Sequence, residues 1–295
     1  MSQTEWLQIQ CQSPAGPHRM AVRSWGSRAA NGVVVCVHGL TRISQDFEPL
    51  AQRLSSRYWV LAPDVVGRGE SDRLVDPSHY HVGQYAMDMQ AMAQQLGLST
   101  VHWVGTSMGG LIAMVMAGQA ALGAGLGFRS LVLNDVGAVV SGSALDRIAL
   151  YLGANPSFSS FEQGRGLVEK IFAGFGPHSP EQWEFLARAV LRLEAPGHWR
   201  FHYDPRIAEP FRTAIASNGG RAADLDLWGL YDQIQAPTLL VRGGLSDLLT
   251  EEVALQMTLR GPRAQLVTIA GVGHAPSLLQ SDQIDLIEGF ISNQT

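Results

Sequence analysis

Residues 103–110, WVGTSMGG, set one hydroxyl among glycines and small side chains. A β-type run at 101–104 precedes it, and LIAMVMA continues a helix that starts at about Met108. Ser107, between Gly105 and Gly109, thus satisfies G-x-S-x-G in the strand, turn and helix setting that gives the pattern meaning. At so sharp a turn the serine backbone is strained, and side chains two residues to either side would strike the neighbouring strand and helix. The turn lifts Oγ clear of a sheet and sets it at a helix N-terminus, where free N–H groups and the helix dipole favour developing negative charge. The plainer alternative is a glycine-rich turn packing strand on helix, with Ser107 as an N-cap; the surrounding residues decide between them.

A serine hydroxyl is a poor nucleophile without a base to take its proton, and the base needs a carboxylate to orient it. Of nine histidines, His274 in AGVGHAPS follows the last strand-like run, where an open sheet delivers a late loop to its carboxyl edge. Gly271 and Gly273 allow that loop a close approach. For the acid, Asp247 in VRGGLSDLL follows the penultimate strand and is preferred; Asp135 in LVLNDVG, one strand after the serine, is the rival. An oxyanion needs two donors. The Met108 N–H supplies one, and Leu40, after His38–Gly39 in VCVHGLTR, supplies the other, Gly39 letting the backbone bend. His38 itself reads as a structural ring bonded to its loop.

Outward from this centre, short β-rich runs alternate with amphipathic helical stretches, the pattern of a mostly parallel sheet with helices on both faces. Runs 5–11 and 20–25 flank the turn-rich SPAGPH as an antiparallel pair. Strands at 32–37, 58–62, 101–104 and 130–134 and helices at 47–54 and 82–96 follow. From 138 to 225 the regularity stops: helical segments such as 166–172 and 180–193 are broken by Gly and Pro, with no buried strand. Strands at 238–242 and 265–269 and helices from 251 and 282 then resume the pattern. Residues 1–137 and 226–295 are accordingly read as the core and 138–225 as a helical cap inserted into it, because the chain leaves and re-enters one sheet.

Composition narrows the function classes. The 295 residues are 46% apolar and 16% charged, with a net charge of −5 spread without runs, which suits neither a nucleic acid nor an anionic membrane partner. No window is apolar enough to span a bilayer and the first residues lack a leader pattern, so a cytoplasmic location is expected. With only Cys11 and Cys36, there is neither a disulfide framework nor metal-ligand spacing, and Cys36 within VVVCV reads as a small buried hydrophobe.

Six spaced motifs resemble the α/β-hydrolase superfamily over nearly the whole chain. They are His38-Gly39, D-x-x-G-x-G-x-S from Asp64 through Gly67 and Gly69 to Ser71, GTSMGG, LVLNDVG, Ser246-Asp247 and Gly273-His274. The nearest likeness is to the cap-bearing bacterial esterase, lactonase and C–C hydrolase group, whose caps are inserted after the sixth strand. The resemblance implies an eight-stranded α/β-hydrolase fold and cofactor-free acyl-enzyme chemistry. It puts Ser107, Asp247 and His274 in the triad and Leu40 and Met108 in the oxyanion hole. Serine at the nucleophile position departs from the haloalkane dehalogenases of this fold, which carry aspartate there. The 64–72 loop, DVVGRGESD, lacks the lysine of a phosphate loop and reads as a turn.

The expected reaction is hydrolysis of a small or medium carboxylic ester or lactone, by a monomer or homodimer with a small-molecule substrate as partner. C–C cleavage of a vinylogous diketone, or acyl transfer, uses the same triad; a catalytically silent binding protein is the alternative of another class. Specificity is expected from the cap, whose Phe158, Phe161, Phe172, Phe175, Trp183, Phe185 and Trp199 suggest an apolar roof. Arg42 is open to two readings, a receiver of substrate carboxylate or a surface arginine paired with an acid. Residues 199–205, WRFHYDP, suggest a cap-to-core anchor.

Overall fold

In the computed structural model, which describes residues 4–120 and 125–294, the chain opens with the hairpin β1 (Glu5–Ser13) and β2 (Gly16–Trp25). Then come β3 (Val33–Val37), α1 (Glu48–Leu54), β4 (Trp59–Pro63), α2 (Val82–Leu96), β5 (Thr100–Thr106), α3 (Met108–Ala120) and β6 (Gly127–Asn134). After an insertion, α8 (Trp228–Tyr231), β11 (Thr238–Gly243), α9 (Glu251–Met257), β12 (Gln265–Ile269) and α10 (Ser281–Ser292) complete the chain, the labels β7 to β10 and α4 to α7 belonging to the insertion. The central sheet has eight strands in the order β1-β2-β4-β3-β5-β6-β11-β12. Only the β1/β2 and β2/β4 pairs are antiparallel.

Alternation along the strands makes two cores. In β3, Val35 and Val37 join Trp103, Leu131 and Leu133 under α2 and α3, whereas Val34 and Cys36 join Val104, Val132 and Val241 under α1 and α10. A period of two sends successive side chains to opposite faces, so five consecutive apolar residues imply a strand covered on both sides. Cys36 is fully buried on the second face, a small hydrophobe whose thiol burial pushes up in pKa. Helix α3, MGGLIAMVMAGQA, is apolar around most of its circumference because α2, α8 and strands β3, β5 and β6 surround it. No helix among the described residues is long and apolar enough to cross a membrane.

The insertion leaves after β6, and its two ends pair as short antiparallel strands, β7 (Val139–Val140) with β10 (Leu225–Asp226). Between them lie α4 (Gly142–Ala149), α5 (Phe161–Ile171), α6 (Pro180–Arg188), the hairpin β8 (Leu191–Ala195) with β9 (His198–Phe201), and α7 (Ala208–Ser217). The hairpin corrects the sequence reading of one helix over 180–193 and of an insertion without strands. LRLEA carries good helix formers, yet Pro196-Gly197, with Gly197 at φ +71°, turns the chain back. The bridge of Phe158 to Trp199 then holds the hairpin from outside, a contact that local propensity does not register.

The turn before α3 depends on close backbone approach. A Cβ on Gly109 would lie 2.0 Å from the Val37 carbonyl oxygen, and one on Gly105 2.4 Å from the Gly109 carbonyl. Gly109→Ala is therefore expected to lower stability by about 2–3 kcal/mol or to prevent folding. By contrast Gly166 in α5 has open space, and Gly166→Ala should raise stability by about 0.5–1 kcal/mol. Urea denaturation of both variants measures the contrast; a Gly109→Ala protein as stable as the parent contradicts the packing argument.

Candidate active site

Ser107 lies between β5 and α3 at φ +52°, a left-handed conformation that a serine adopts only when its surroundings impose it. Its N–H donates to the Asn134 carbonyl at 2.9 Å, tying the turn to the end of β6. Its carbonyl accepts from the N–H groups of Gly110 and Leu111 at 2.8 and 3.1 Å, which starts the helix.

His274, in the loop after β12, reaches the serine. Ser107 Oγ and His274 Nε2 are 2.9 Å apart, and His274 Nδ1 lies 2.8 Å from Asp135 Oδ2. Asp135 is fully buried, while the His274 side chain keeps 14% exposure. Two further donors hold the carboxylate. The Gly243 N–H donates to Oδ1 at 2.7 Å and Ser246 Oγ to Oδ2 at 2.6 Å.

The acid is the point at which the sequence reading is corrected, because Asp135 and not Asp247 meets the imidazole. Strand β6 runs beside β5, so the residue after it emerges next to Ser107, and Asp135 at φ +55° turns its carboxylate toward His274. In the loop after β11, Ser246 is the residue that faces this carboxylate. Asp247, one position on, is half exposed and pairs with Arg147 of α4 at 2.6 and 2.8 Å. Partial burial works to raise the Asp247 pKa, but the Arg147 hydrogen bonds and charge outweigh it and leave the carboxyl below its ordinary value. No local pattern in LSDLL announces Arg147, one hundred residues away.

Leu40 and Met108 line one cavity of about 90 Å³ with Ser107. Neither backbone N–H has a partner among the described residues. The Leu40 N–H is aimed by the peptide before it. His38 Nδ1–H donates to the Gly39 carbonyl at 2.7 Å, and in a trans peptide the next N–H points the opposite way. His38 Nε2 in turn accepts from the Val65 N–H at 2.9 Å, so the ring is structural. Gly39 has no positive φ, and a Cβ there would make only ordinary van der Waals contact, 3.8 Å from Ser107 Cβ, so the bend expected of this glycine is not what the loop uses.

The other residues singled out in the sequence also have places. Arg42 is 4% exposed and pairs with Asp46 at 2.6 and 2.7 Å, so it is neither at the surface nor a lining residue of the serine cavity. It lies over the rings of Phe172 and Phe175 at 4.9 and 5.8 Å and donates to the Leu186 carbonyl, joining the oxyanion loop to the insertion. Residues 199–205 do anchor insertion to core. His202 Nδ1 accepts from the Gly69 N–H, the Asp204 N–H donates to the Gly67 carbonyl, and Tyr80 Oη donates to the Asp204 carboxylate.

The aromatic roof is not found over the serine. Of the insertion, Val140, Leu145, Ile148 and Phe211 line the Ser107 cavity, while the predicted aromatics pack mostly on one another, as in Phe161 with Trp199 and Phe172 with Phe175. A second apolar cavity, about 220 Å³, lies inside the insertion and includes Phe172 and Thr41. Away from the serine, Cys11, His18 and Asp88 bring three ligand-type atoms within 4.8 Å, a grouping that linear spacing hides because Cys11 and His18 face each other across the first hairpin. The His18–Asp88 contact at 3.1 Å and the Gln84 amide on the other carboxylate oxygen satisfy Asp88 without an ion.

The family model for the alpha/beta hydrolase fold matches residues 32–280. The 3-hydroxybutyrate-oligomer hydrolase of Cupriavidus necator is 43% identical over 96% of both chains. The pimeloyl-[acyl-carrier protein] methyl ester esterase of Aliivibrio salmonicida is 25% identical over 88% of this chain and 91% of that protein. The crystal structure of an alpha/beta hydrolase from Novosphingobium aromaticivorans superposes with a TM-score of 0.87 at 34% identity, covering all of both chains.

Burial holds two site-supporting rings neutral. It lowers the pKa of His38 and of His202 from 6.5 to about 3, against the carbonyl hydrogen bond at His38, and nearby arginine charge acts in the same direction. The unfolded chain therefore binds protons below pH 6.5 that the folded chain refuses until about pH 3. Stability is full above that range and falls as the pH drops, by up to about 1.4 kcal/mol per pH unit for each ring. Urea midpoints at pH 7 and pH 5 should differ accordingly, and equal midpoints would contradict burial of two neutral rings.

Proposed function

The chain belongs to the alpha/beta hydrolase fold family, and on that premise we propose that it is a serine hydrolase cleaving short carboxylic esters through an acyl-enzyme. One observation carries this reading: the unbroken chain from Ser107 Oγ through His274 to Asp135, at 2.9 and 2.8 Å, beside two unpartnered N–H groups. His274 Nε2 takes the serine proton as Oγ attacks the ester carbonyl. The oxyanion forms against the Leu40 and Met108 N–H groups, and Asp135 stabilises the imidazolium. The imidazolium then protonates the departing alcohol. Water enters, gives its proton to the same nitrogen and attacks the acyl carbon, and collapse returns the serine with a free acid.

For the substrate, we infer a short ester of a hydroxy acid, and by extension a short oligomer of such units. The likeness to the Cupriavidus necator protein supports this, as does the confined and mostly apolar serine cavity, to which the insertion contributes Val140, Leu145, Ile148 and Phe211. In this reading residues 138–225 act as the cap. Val140, Leu145, Ile148 and Phe211 bound the chain that the serine acylates, and apolar walls of this kind favour small apolar groups over charged polymers.

Three variants test the reading. Ser107→Ala should abolish turnover of 3-hydroxybutyrate dimers and p-nitrophenyl butyrate and remove labelling by a fluorophosphonate probe. Asp135→Asn should lower kcat by about four orders of magnitude, since the wrong imidazole tautomer results. Asp247→Asn should change kcat by less than about tenfold, the loss of a half-exposed ion pair being small. A crippled Asp247→Asn beside an active Asp135→Asn would reverse the assignment, and activity persisting without Ser107 would end it.

A further inference from the structure

The 64–72 loop, a turn with no evident chemistry in the sequence, holds a buried cation. Gly67 at φ +85° and Gly69 at φ +55° bracket Arg68 and send its side chain inward, to 1% exposure. Neither glycine tolerates a side chain: a Cβ on Gly67 would meet the Tyr80 ring at 2.7 Å and one on Gly69 the Asp64 carboxylate at 2.1 Å. Asp64 is committed to the Ser44 and Glu70 N–H groups, at 2.8 and 2.9 Å, and does not pair with the arginine.

The guanidinium goes to the oxyanion residues. Nε donates to the Leu40 carbonyl at 2.9 Å, Nη1 donates to the Val66 carbonyl at 2.7 Å and to Tyr85 Oη at 3.0 Å, and Nη2 lies 3.6 Å from Met108 Sδ. The residues at both ends of the hole thus rest on one side chain. His38 holds the peptide on the N-terminal side of Leu40 and Arg68 the one on its C-terminal side, so Leu40 is clamped from both directions. All four partners are neutral, the rings of Tyr85 and Tyr80 lie against the guanidinium at 5.0 and 5.9 Å, and no carboxylate among the described residues pairs with Arg68. A guanidinium stays charged in a protein, and an uncompensated buried charge is costly. The negative charge that this arrangement lacks at rest is the one that the tetrahedral intermediate brings.

We propose that Arg68 is a positioning residue for the oxyanion hole, fixing Leu40 and Met108 and setting a positive charge behind their N–H groups that favours the intermediate over bound substrate. This rests on the acyl-enzyme reading above. Arg68 does not line the Ser107 cavity, so it acts through Leu40 and Met108 rather than on the ester. Its effect therefore falls on kcat and on transition-state analogues, whereas a residue that only braced the loop would weaken all ligands or the fold itself.

The test compares Arg68→Met and Arg68→Lys with the parent enzyme, using p-nitrophenyl butyrate as substrate, butylboronic acid as a tetrahedral mimic and butyrate as a ground-state ligand. Arg68→Met should lower kcat about tenfold to a hundredfold, less than removal of an oxyanion donor itself, with KM within about twofold. The boronate inhibition constant should rise by the same factor and that of butyrate should not move. Arg68→Lys keeps the charge but not the planar fork and should fall between the two. Should the methionine variant lack native circular dichroism, the lysine variant carries the same comparison. A folded variant with parental kcat, or one in which boronate and butyrate weaken together, overturns the proposal. Fluorophosphonate labelling of the parent enzyme separates the two levels: unlabelled Ser107 removes the acyl-enzyme reading, whereas labelled Ser107 with an unaffected Arg68→Met removes only the role of Arg68.

Discussion

The contact on which the site depends is between Gly109 and the Val37 carbonyl, a backbone approach with no room for a side chain. It brings the first turn of α3 against the end of β3 and so sets the serine beside the loop that follows β3. Trp103, buried in β5, adds a lock from the other side, its indole Nε1–H donating to the Gly109 carbonyl at 3.1 Å. The left-handed backbone at Ser107 is affordable because these contacts are made by residues already committed to the core. Nucleophile, Met108 N–H and Leu40 N–H acquire their mutual placement from one packing event.

The order of strands then decides which acid can serve. With β6 lying between β5 and β11, a carboxylate one residue beyond β6 emerges between the serine and the late histidine loop, and the loop after β11 needs only to brace it. Ser246 Oγ and the Gly243 N–H do so. With His274 Nδ1 as the third partner, both oxygens of the buried carboxylate are engaged and the orientation of the ring is fixed. Asp247, one residue past the brace, is free to pair with Arg147 and tie α4 of the insertion to the core.

The alternation of strands and helices, the turn around Ser107 and the late histidine that meets it were legible because each follows from local pattern: period two, period 3.6, glycines at fixed offsets. What was not legible arises from contacts between distant residues. Choosing between Asp135 and Asp247 required the side on which Arg147 lies, and the β8/β9 hairpin required Phe158 against Trp199. An aromatic count for the insertion carries no direction: most of the counted rings face one another, and Val140, Leu145, Ile148 and Phe211 are the insertion residues that line the serine cavity. Arg42 and Arg68 read as surface or turn residues because arginine burial depends on partners that sequence separation conceals.

The loops that bear those two arginines also join the insertion to the core beside Ser107. Arg42 carries the oxyanion loop to Phe172, Phe175 and Leu186, and the loop bearing Arg68 is bonded through Gly67 and Gly69 to Asp204 and His202. The strand pair β7/β10 fixes the neck of the insertion, and its remainder is held by these two loops together with the Arg147–Asp247 pair, the Gly273 N–H on the Gly174 carbonyl and His178 against Ser277. Contacts with residues 138–225 thus complete the partners of Arg42, whereas the hydrogen-bond partners of Arg68 all lie in the core. The segment that follows β6 and the loop that carries Leu40 are therefore ordered by shared contacts, so that a change in either is felt by the other.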